Sequence, residues 1–482
     1  MHEHETLYLD GRWVRPAAGA ALAVVSPDTE ERIGTVPLAG ESEVDSAVAA
    51  AGRALHAPEW AGLSPEQRSG LLLAFAAELE KNAAERATLT TIQNGMPIAL
   101  ATAAEGAGPV GILQYYAMLA AQPAEERRPR PDGRGVTVVR KEPVGVVAIV
   151  VPWNFPQVLT MFKLAPALAA GCTVVLKPSP ETTLDALELA ATADRAGLPP
   201  GVLNVVTGGA DLGAYLVAHP GVQKVAFTGS TAAGRQIGEV CGRLLRPVTL
   251  ELGGKSAAIV LDDADLATTV EGLATAGLLN TGQTCYLSTR ILAPRSRHDE
   301  VVAAVAGLAS ALTIGDPLDP GTHVGPLVSE RQREKVEQYV ALGKDAGATL
   351  AAGGGRPDRD RGWYVQPTVF GGVDNGSRLA REEIFGPVLA VIPYDGVDEA
   401  VALANDSDYG LGGTIWTTDV EKGLDVARRV ETGSVGVNFY DLDVNAPFGG
   451  VKASGVGREL GPEGLAAYQQ LKSIYLGQEV PA

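Results

Sequence analysis

Of the three cysteines, Cys172, Cys241 and Cys285, only the last sits where a thiol could act. Cys172 lies between a helical segment and a buried strand and Cys241 on an apolar helix, the ordinary settings of a small buried hydrophobe. Cys285 is embedded in NTGQTCYLSTR, a polar loop inside a stretch without charges; it is either a half-buried nucleophile or a structural cysteine. A thiol nucleophile needs a base, and none of the six histidines lies in a segment resembling a site. His2 and His4 are terminal, and His56, His219, His298 and His323 flank prolines, charges or glycines. The base is therefore sought among carboxylates. Glu251 follows the apolar strand RPVTL and precedes Leu-Gly-Gly, so it is either a poised base or an acidic turn residue. Asn154 sits in Pro152-Trp153-Asn154-Phe155-Pro156, where two prolines fix the backbone and two aromatics shield the amide. Such an amide either donates to a developing oxyanion, worth roughly 10²–10³ in rate, or only forms the turn.

A phosphate-bearing ligand would need a glycine turn that opens a helix after a strand. The one literal G-x-G-x-x-G, Gly106 to Gly111, is preceded by helix-like IALATAAE, and Pro109 removes an N–H from the supposed cradle, so it reads as a helix break. Gly229-Ser230-Thr231-Ala232-Ala233-Gly234 has the right context instead, following KVAFT and opening GRQIGEVCG. Free N–H groups and the helix dipole there favour an anion. Lys177 ends the strand CTVVLKP; it is either a solvated cap or a contact to ribose or phosphate.

The elements that must hold these residues form two series. Residues 41–85 carry apolar residues at helical spacing, and the patch AQPAEERRPRPDGRG then reads as an exposed loop or arm before the valine-rich strands of VTVVRKEPVGVVAIV. Beyond Pro152, helices alternate with short apolar strands (CTVVLKP, VLNVVTG, QKVAFTG), which implies parallel strands with helices on their faces. After Glu251 a second series follows, with SAAIVL, TRILAP, PTVFGGV and PVLAVIPY as strands. The tail, LAAYQQLKSIYLGQEV, reads as a short helix and a strand that needs a partner edge, another subunit being one source.

A chain of 482 residues corresponds to two to four domains at roughly 100 to 200 residues each. With 39 Lys and Arg against 57 Asp and Glu, the net charge is −18, which disfavours nucleic acid and anionic membrane as partners. Three cysteines without C-x-x-C support neither a disulfide framework nor a zinc site, so no metal is expected and a reducing, cytoplasmic setting is. The N-terminus, MHEHETLYLDGRW, lacks the basic and apolar runs of an export signal. Residues 143–162 and 272–289 are free of charge but contain prolines, amides and hydroxyls that are costly in hydrocarbon, so both are expected as buried interior.

Taken together and in order, PWNFP, FTGSTAAG, ELGGKS, GQTCYLSTR, EEIFGPV and PFGGVKASGVGRE resemble the NAD(P)-dependent aldehyde dehydrogenase superfamily, and the 34 residues from Glu251 to Cys285 agree with it. The resemblance spans essentially the whole chain. It implies an α/β fold with a Rossmann-type cofactor domain (1–124 and 144–252), an α/β catalytic domain (253–453), and a β oligomerisation arm with the C-terminal segment (125–143 and 454–482). It implies oxidation of an aldehyde to its acid through a thiohemiacetal and a thioester on Cys285. Glu251 would be the general base, Asn154 with the Cys285 N–H would hold the oxyanion, and Lys163 and Glu459 would form a proton path behind the base. Lys177 would contact the adenosine ribose, Trp153 and Ser230 the pyrophosphate, Glu383 the nicotinamide ribose, and Phe385 the nicotinamide. Phe155, Phe162 and Phe448 would wall the substrate tunnel and suit an apolar aldehyde. A homodimer or homotetramer is implied.

One departure concerns NAD against NADP. The family's NAD-preferring pattern is K-P-x-E, whereas Lys177-Pro178-Ser179-Pro180 brings Glu181 one place late, so NAD is only weakly expected over NADP. Two other readings stay open on sequence: acyl transfer through Cys285 without a cofactor, and a binding protein that has kept the fold and lost catalysis.

Overall fold

The structure, a computed structural model, describes residues 1–17, 19–131 and 133–477; Asp132 of the arm and residues 478–480 of the strand-like tail lie outside them. Two open sheets dominate. The first runs Leu203–Val205, Thr173–Lys177, Val146–Val150, Lys224–Thr228, Val248–Glu251 and Gly455–Val456. Its first five strands are parallel and the last is antiparallel. In chain order the parallel strands stand 3-2-1-4-5, so the order reverses between Val146–Val150 and Lys224–Thr228, where a doubly wound sheet opens a ligand crevice at the strands' carboxyl ends. Register levels the functional residues at that edge: Val150 pairs with Lys177 and with Phe227, and Thr228 pairs with Glu251.

The second sheet runs Thr349–Ala352, Thr368–Gly371, Val388–Tyr394, Arg290–Pro294, Ala257–Val260, Gly413–Trp416 and Gly436–Val437. All its pairings are parallel except that of the first two strands. Separate apolar clusters pack on its two faces. The near-continuous apolar strands suit a sheet covered on both sides.

A third sheet joins Gln469–Leu476 to Val136–Pro143 and Val136–Pro143 to Glu125–Pro129, all antiparallel. The terminal strand therefore finds its edge within its own chain, over the full register Gln469 to Pro143 through Leu476 to Val136. Its outer face leaves Leu471 and Tyr475 each 70% exposed.

The expected helix break at Gly106 to Gly111 is not a break. Helix Ile98–Ala101 passes through a π-helical turn, Thr102–Ala107, into helix Gly108–Ala120 with right-handed dihedrals at both junctions. Pro109 has no N–H to offer the carbonyl four residues back, that of Glu105, and widening to a π turn absorbs this. The Arg86 guanidinium caps the carbonyls of Glu105 and Gly106 instead, both at 2.7 Å. The two charge-free stretches are largely buried, and no helix among the described residues is long and apolar enough to cross a membrane.

Candidate active site

Each candidate side chain stands at an element boundary. Asn154 follows the strand Val146–Val150 and precedes the helix Pro156–Ala170. Its backbone carbonyl accepts from Asn280 Nδ2 at 3.0 Å and from Asn94 Nδ2 at 3.4 Å, and Asn94 also donates to Trp153 O at 3.0 Å. Its own Nδ2 donates to Gln283 O at 2.9 Å, which ties the turn to the cysteine loop and leaves the second amide proton free.

The cysteine loop is reached through three consecutive left-handed residues, Asn280 (φ 52°), Thr281 (φ 56°) and Gly282 (φ 76°). A β-branched residue there costs of order 1–2 kcal/mol. Two hydrogen bonds hold it, Thr281 Oγ1 donating to Gly325 O at 3.2 Å and the Gly325 N–H donating to Oγ1 at 3.1 Å. Gly282 lies so close to Gly386 that a Cβ would stand 2.3 Å from its backbone. Cys285 follows, half-buried, with its thiol pushed far up by burial and then by the carboxylates of Glu383 and Glu251.

Glu251 ends its strand, 3% exposed, with neither carboxylate oxygen hydrogen-bonded among the described residues. Burial first and the Glu459 charge second raise it well above the usual carboxylate range; Lys163 and Arg458 oppose the shift, and the Gly450 N–H eases it slightly from outside hydrogen-bond geometry. Behind it, Lys163 and Glu459 form a buried ion pair at 2.8 Å, and Lys163 also donates to Thr228 Oγ1 at 2.6 Å.

Two spaces meet at the thiol. On one side lies an apolar cavity of about 640 Å³, whose lining includes Phe155, Phe162, Phe448, Val158, Leu159 and Tyr286. On the other, a cleft of about 180 Å³ lined by Trp153, Gly229, Ser230, Glu383 and Phe385 continues into a groove of about 500 Å³ that contains Lys177 and Glu181. Cys285 and Asn154 line both the apolar cavity and the cleft.

The groove suits a dinucleotide. Lys177 is 5% exposed, its ammonium donating to Pro178 O at 3.1 Å, and burial lowers its pKa to about 8 against the pull of Glu181. Ser230 caps the helix Thr231–Arg243. Gly229 and Gly234 let the turn and helix pack tightly on their neighbours, since a Cβ would stand 2.4 Å from Phe227 at Gly229 and from Leu252 at Gly234. Glu383 accepts the Gly254 N–H at 2.9 Å, and Trp153 meets the Phe385 ring edge-on at 5.3 Å. Phe385 itself is left-handed (φ 61°). The structure therefore brings Asn154, Cys285, the three phenylalanines and the dinucleotide-side residues Trp153, Lys177, Gly229, Ser230, Glu383 and Phe385 to three adjoining spaces, while Glu251, Lys163, Glu459 and Gly234 line none of them. No group of three or more His, Cys, Asp or Glu placed to hold a metal occurs among the described residues.

Sequence reading missed several lining residues. Gln332 and Lys335 line the cleft from the helix Glu330–Asp345, and Gln332 Nε2 donates to the carbonyls of Ile384 and Phe385 at 3.1 and 2.7 Å. In a polar amphipathic sequence nothing distinguished them. Asn94 and Asn280 were equally silent, because they act on backbone carbonyls.

Residues 13–474 match the Aldehyde dehydrogenase family. The chain is 55% identical over 475 residues to geranial dehydrogenase of Castellaniella defragrans, covering 98% of this chain and 99% of that protein. It is 40% identical to phenylacetaldehyde dehydrogenase of Pseudomonas fluorescens, covering 98% and 96%. The structure of Mycobacterium tuberculosis aldehyde dehydrogenase complexed with NAD+ superposes with a TM-score of 0.97 at 45% identity, covering 100% of both chains. A cysteine-to-alanine mutant of Pseudomonas syringae aldehyde dehydrogenase C, complexed with NAD+ and octanal, gives 0.95 at 40% identity, covering 99% and 98%. An oxidoreductase built on a doubly wound sheet and a second α/β sheet is the class these features define. The chain belongs to the aldehyde dehydrogenase family.

Proposed function

We propose that this protein oxidises an apolar aldehyde to its carboxylic acid with NAD, using Cys285, Glu251 and Asn154. The observation that carries this is the position of the Cys285 thiol where an apolar cavity and a dinucleotide-sized groove meet. The aldehyde lies along the Phe155, Phe162 and Phe448 walls. Burial and the nearby carboxylates raise the Cys285 thiol, so as the sulfur bonds to the aldehyde carbon its S–H bond breaks and the proton passes to Glu251, which must release it before the second step. The oxyanion is met by the free Asn154 amide proton and the Cys285 N–H. Bound NAD supplies the hydride acceptor that leaves a thioester on the sulfur. Glu251 then takes a proton from water as the water oxygen attacks the acyl carbon; the C–S bond breaks and the acid departs. Lys163 and Glu459 stand behind Glu251 to pass that proton on. Lys177, Ser230, Trp153, Gly229 and Gly234 hold the adenosine and pyrophosphate part, and Glu383 and Phe385 the nicotinamide end. Because NAD carries a pyrophosphate and the chain a charge of −18, local N–H groups and Lys177 must bind against the overall field.

The apolar cavity and the 55% identity to a geranial dehydrogenase favour branched or long-chain aldehydes. With Cys285→Ala, NADH formation at 340 nm from geranial or octanal should fall to background; turnover at the wild-type rate would remove the thiol from the reaction. Glu181 is the basis for preferring NAD, because it lines the groove that holds Lys177 despite the shifted spacing. Glu181→Gln should lower the NAD-over-NADP ratio of kcat/KM by about fivefold to tenfold, the size of one lost charge repulsion. An unchanged ratio would place discrimination elsewhere.

We assign the cofactor domain to 1–124 and 144–252, the catalytic domain to 253–453, and the arm and C-terminal segment to 125–143 and 454–482. The exposed apolar side chains of Gln469–Leu476 support a homodimer or homotetramer covering them. Three free thiols support a cytoplasmic setting.

A further inference from the structure

The apolar cavity carries one feature that its hydrophobic walls do not require. Among its lining residues are two carboxylates, Asp441 and Asp443, and no Lys, Arg or His. Both are exposed, on the loop that leads into Phe448. Asp443 Oδ1 accepts the backbone and side-chain N–H groups of Asn445, both at 2.9 Å, which lowers its pKa and keeps it ionised. Asp441 Oδ1 accepts the Leu442 N–H at 2.8 Å. Glu463 adds a third negative charge near Asp443, since Tyr115 feels both. Among the described residues, no ion pair neutralises Asp441, Asp443 or Glu463. The dinucleotide side is mixed instead, with Lys177, Arg331 and Lys335 set against Glu181 and Glu383 in its walls.

We propose that Asp441 and Asp443 form an acidic rim that sets the charge specificity of the aldehyde tunnel: uncharged aldehydes enter, carboxylate-bearing aldehydes are rejected, and the carboxylate product binds weakly. The proposal rests on the cavity being the aldehyde's route. A neutral aldehyde feels no net force from the rim, whereas an anion entering past it feels its negative potential, screened by solvent because both carboxylates are exposed and offset by no cation in the cavity's lining. The reaction makes an anion from a neutral substrate, so the same rim lowers affinity for product without touching affinity for substrate. Exposed charges act over about one Debye length, roughly 8–10 Å at moderate salt, so the effect must weaken as salt rises.

The test compares octanal with its ω-carboxylate analogue, 8-oxooctanoate, in wild type and in the double variant Asp441→Asn, Asp443→Asn. Asparagine keeps the Oδ1 acceptors that hold the loop. The wild-type ratio of kcat/KM, octanal over 8-oxooctanoate, should fall about threefold to tenfold in the variant at low salt, for about half a logarithm per charge. Raising salt should narrow that ratio in wild type and leave the variant nearly unmoved. Inhibition by octanoate should tighten by a similar factor, while kcat/KM for octanal stays within twofold. Asp441→Lys should lower the ratio further. Equal ratios in wild type and variants would overturn the rim while leaving aldehyde oxidation intact. Failure of wild type to oxidise octanal or geranial at all would overturn the proposed function, and the rim with it.

Discussion

Two buried clusters flank the helix Pro156–Ala170, and each contains two carboxyls and one cation. Behind the active site are Glu251, Glu459 and Lys163; at the start of the helix are Glu105, Asp185 and Arg86, all at most 3% exposed. They differ in how their polar atoms are satisfied. Arg86 spends its donors on Asn82 Oδ1, Gln157 Oε1 and the carbonyls of Leu79, Glu105 and Gly106. Asp185 accepts from Thr90 Oγ1 and Gln157 Nε2, and Glu105 accepts the Gln157 N–H at 2.7 Å. In the other cluster no oxygen of Glu251 or Glu459 has a hydrogen bond in good geometry among the described residues, and Glu459 keeps the Lys163 ion pair. A buried network in which Glu105 Oε1 alone of the four carboxyl oxygens lacks a partner among the described residues specifies architecture, whereas two buried carboxyls with all four oxygens unbonded beside a reactive thiol are costly unless chemistry uses them.

The largest expected effect follows from that contrast. Glu251→Gln should cut steady-state NADH production about 10²–10⁴-fold, the usual worth of a general base, while its thermal midpoint holds or rises because an uncompensated buried carboxyl is gone. Glu105→Gln, of equal volume and burial, should leave kcat within a few fold. Paired rate and melting measurements decide; similar losses of turnover in both variants would erase the distinction between the clusters.

Arg86 tests it from the other side. Arg86→Met removes the cation and strands the carbonyls of Leu79, Glu105 and Gly106 together with Asn82 Oδ1 and Gln157 Oε1. Breaking a buried charged network this way costs about 3–5 kcal/mol, which should appear as a lower urea midpoint. Residual folded protein should still form NADH, since Arg86 lines neither cavity nor groove. A midpoint within experimental scatter of wild type would mean that the network is dispensable.

The two clusters were not equally legible in the sequence. Glu251 stood out because a charge ended an apolar strand beside two glycines, and family motifs then supplied Lys163 and Glu459. Arg86 and Asp185 lie in ERATL and TTLDAL, where a lone charge looks like the solvated side of an amphipathic helix. Their burial is decided by which helices pack on the outside, and periodicity within one helix does not report that. Glu105 was more visible, as the single charge in IALATAAEGAGPVGIL. The alternation of strands and helices predicted both large sheets, because parallel strands must be crossed over by helices. It did not predict that the terminal strand would pair with Val136–Pro143 of its own chain, or that Pro109 would be absorbed by a π turn. Both depend on contacts far apart in sequence.

The smallest effect is a pH dependence peculiar to the structural cluster. Burial pushes Glu105 up to about 8 and Asp185 to about 7, against ordinary values of 4.5 and 3.8. A carboxyl whose pKa is higher folded than unfolded keeps its proton in the native state over a range where the unfolded chain has released it. Its contribution to stability is therefore fully present below about 4.5 and is lost as pH rises towards about 8 for Glu105. The slope is at most about 1.4 kcal/mol per pH unit for one proton. Glu105→Gln cannot titrate, so the urea-midpoint stability of wild type relative to this variant should fall by about 2 kcal/mol between pH 5.5 and 7.5. Asp185 titrates in both proteins and largely cancels in that difference. A difference independent of pH would show that Glu105 enters the fold ionised, and the two clusters would then differ in hydrogen bonding alone.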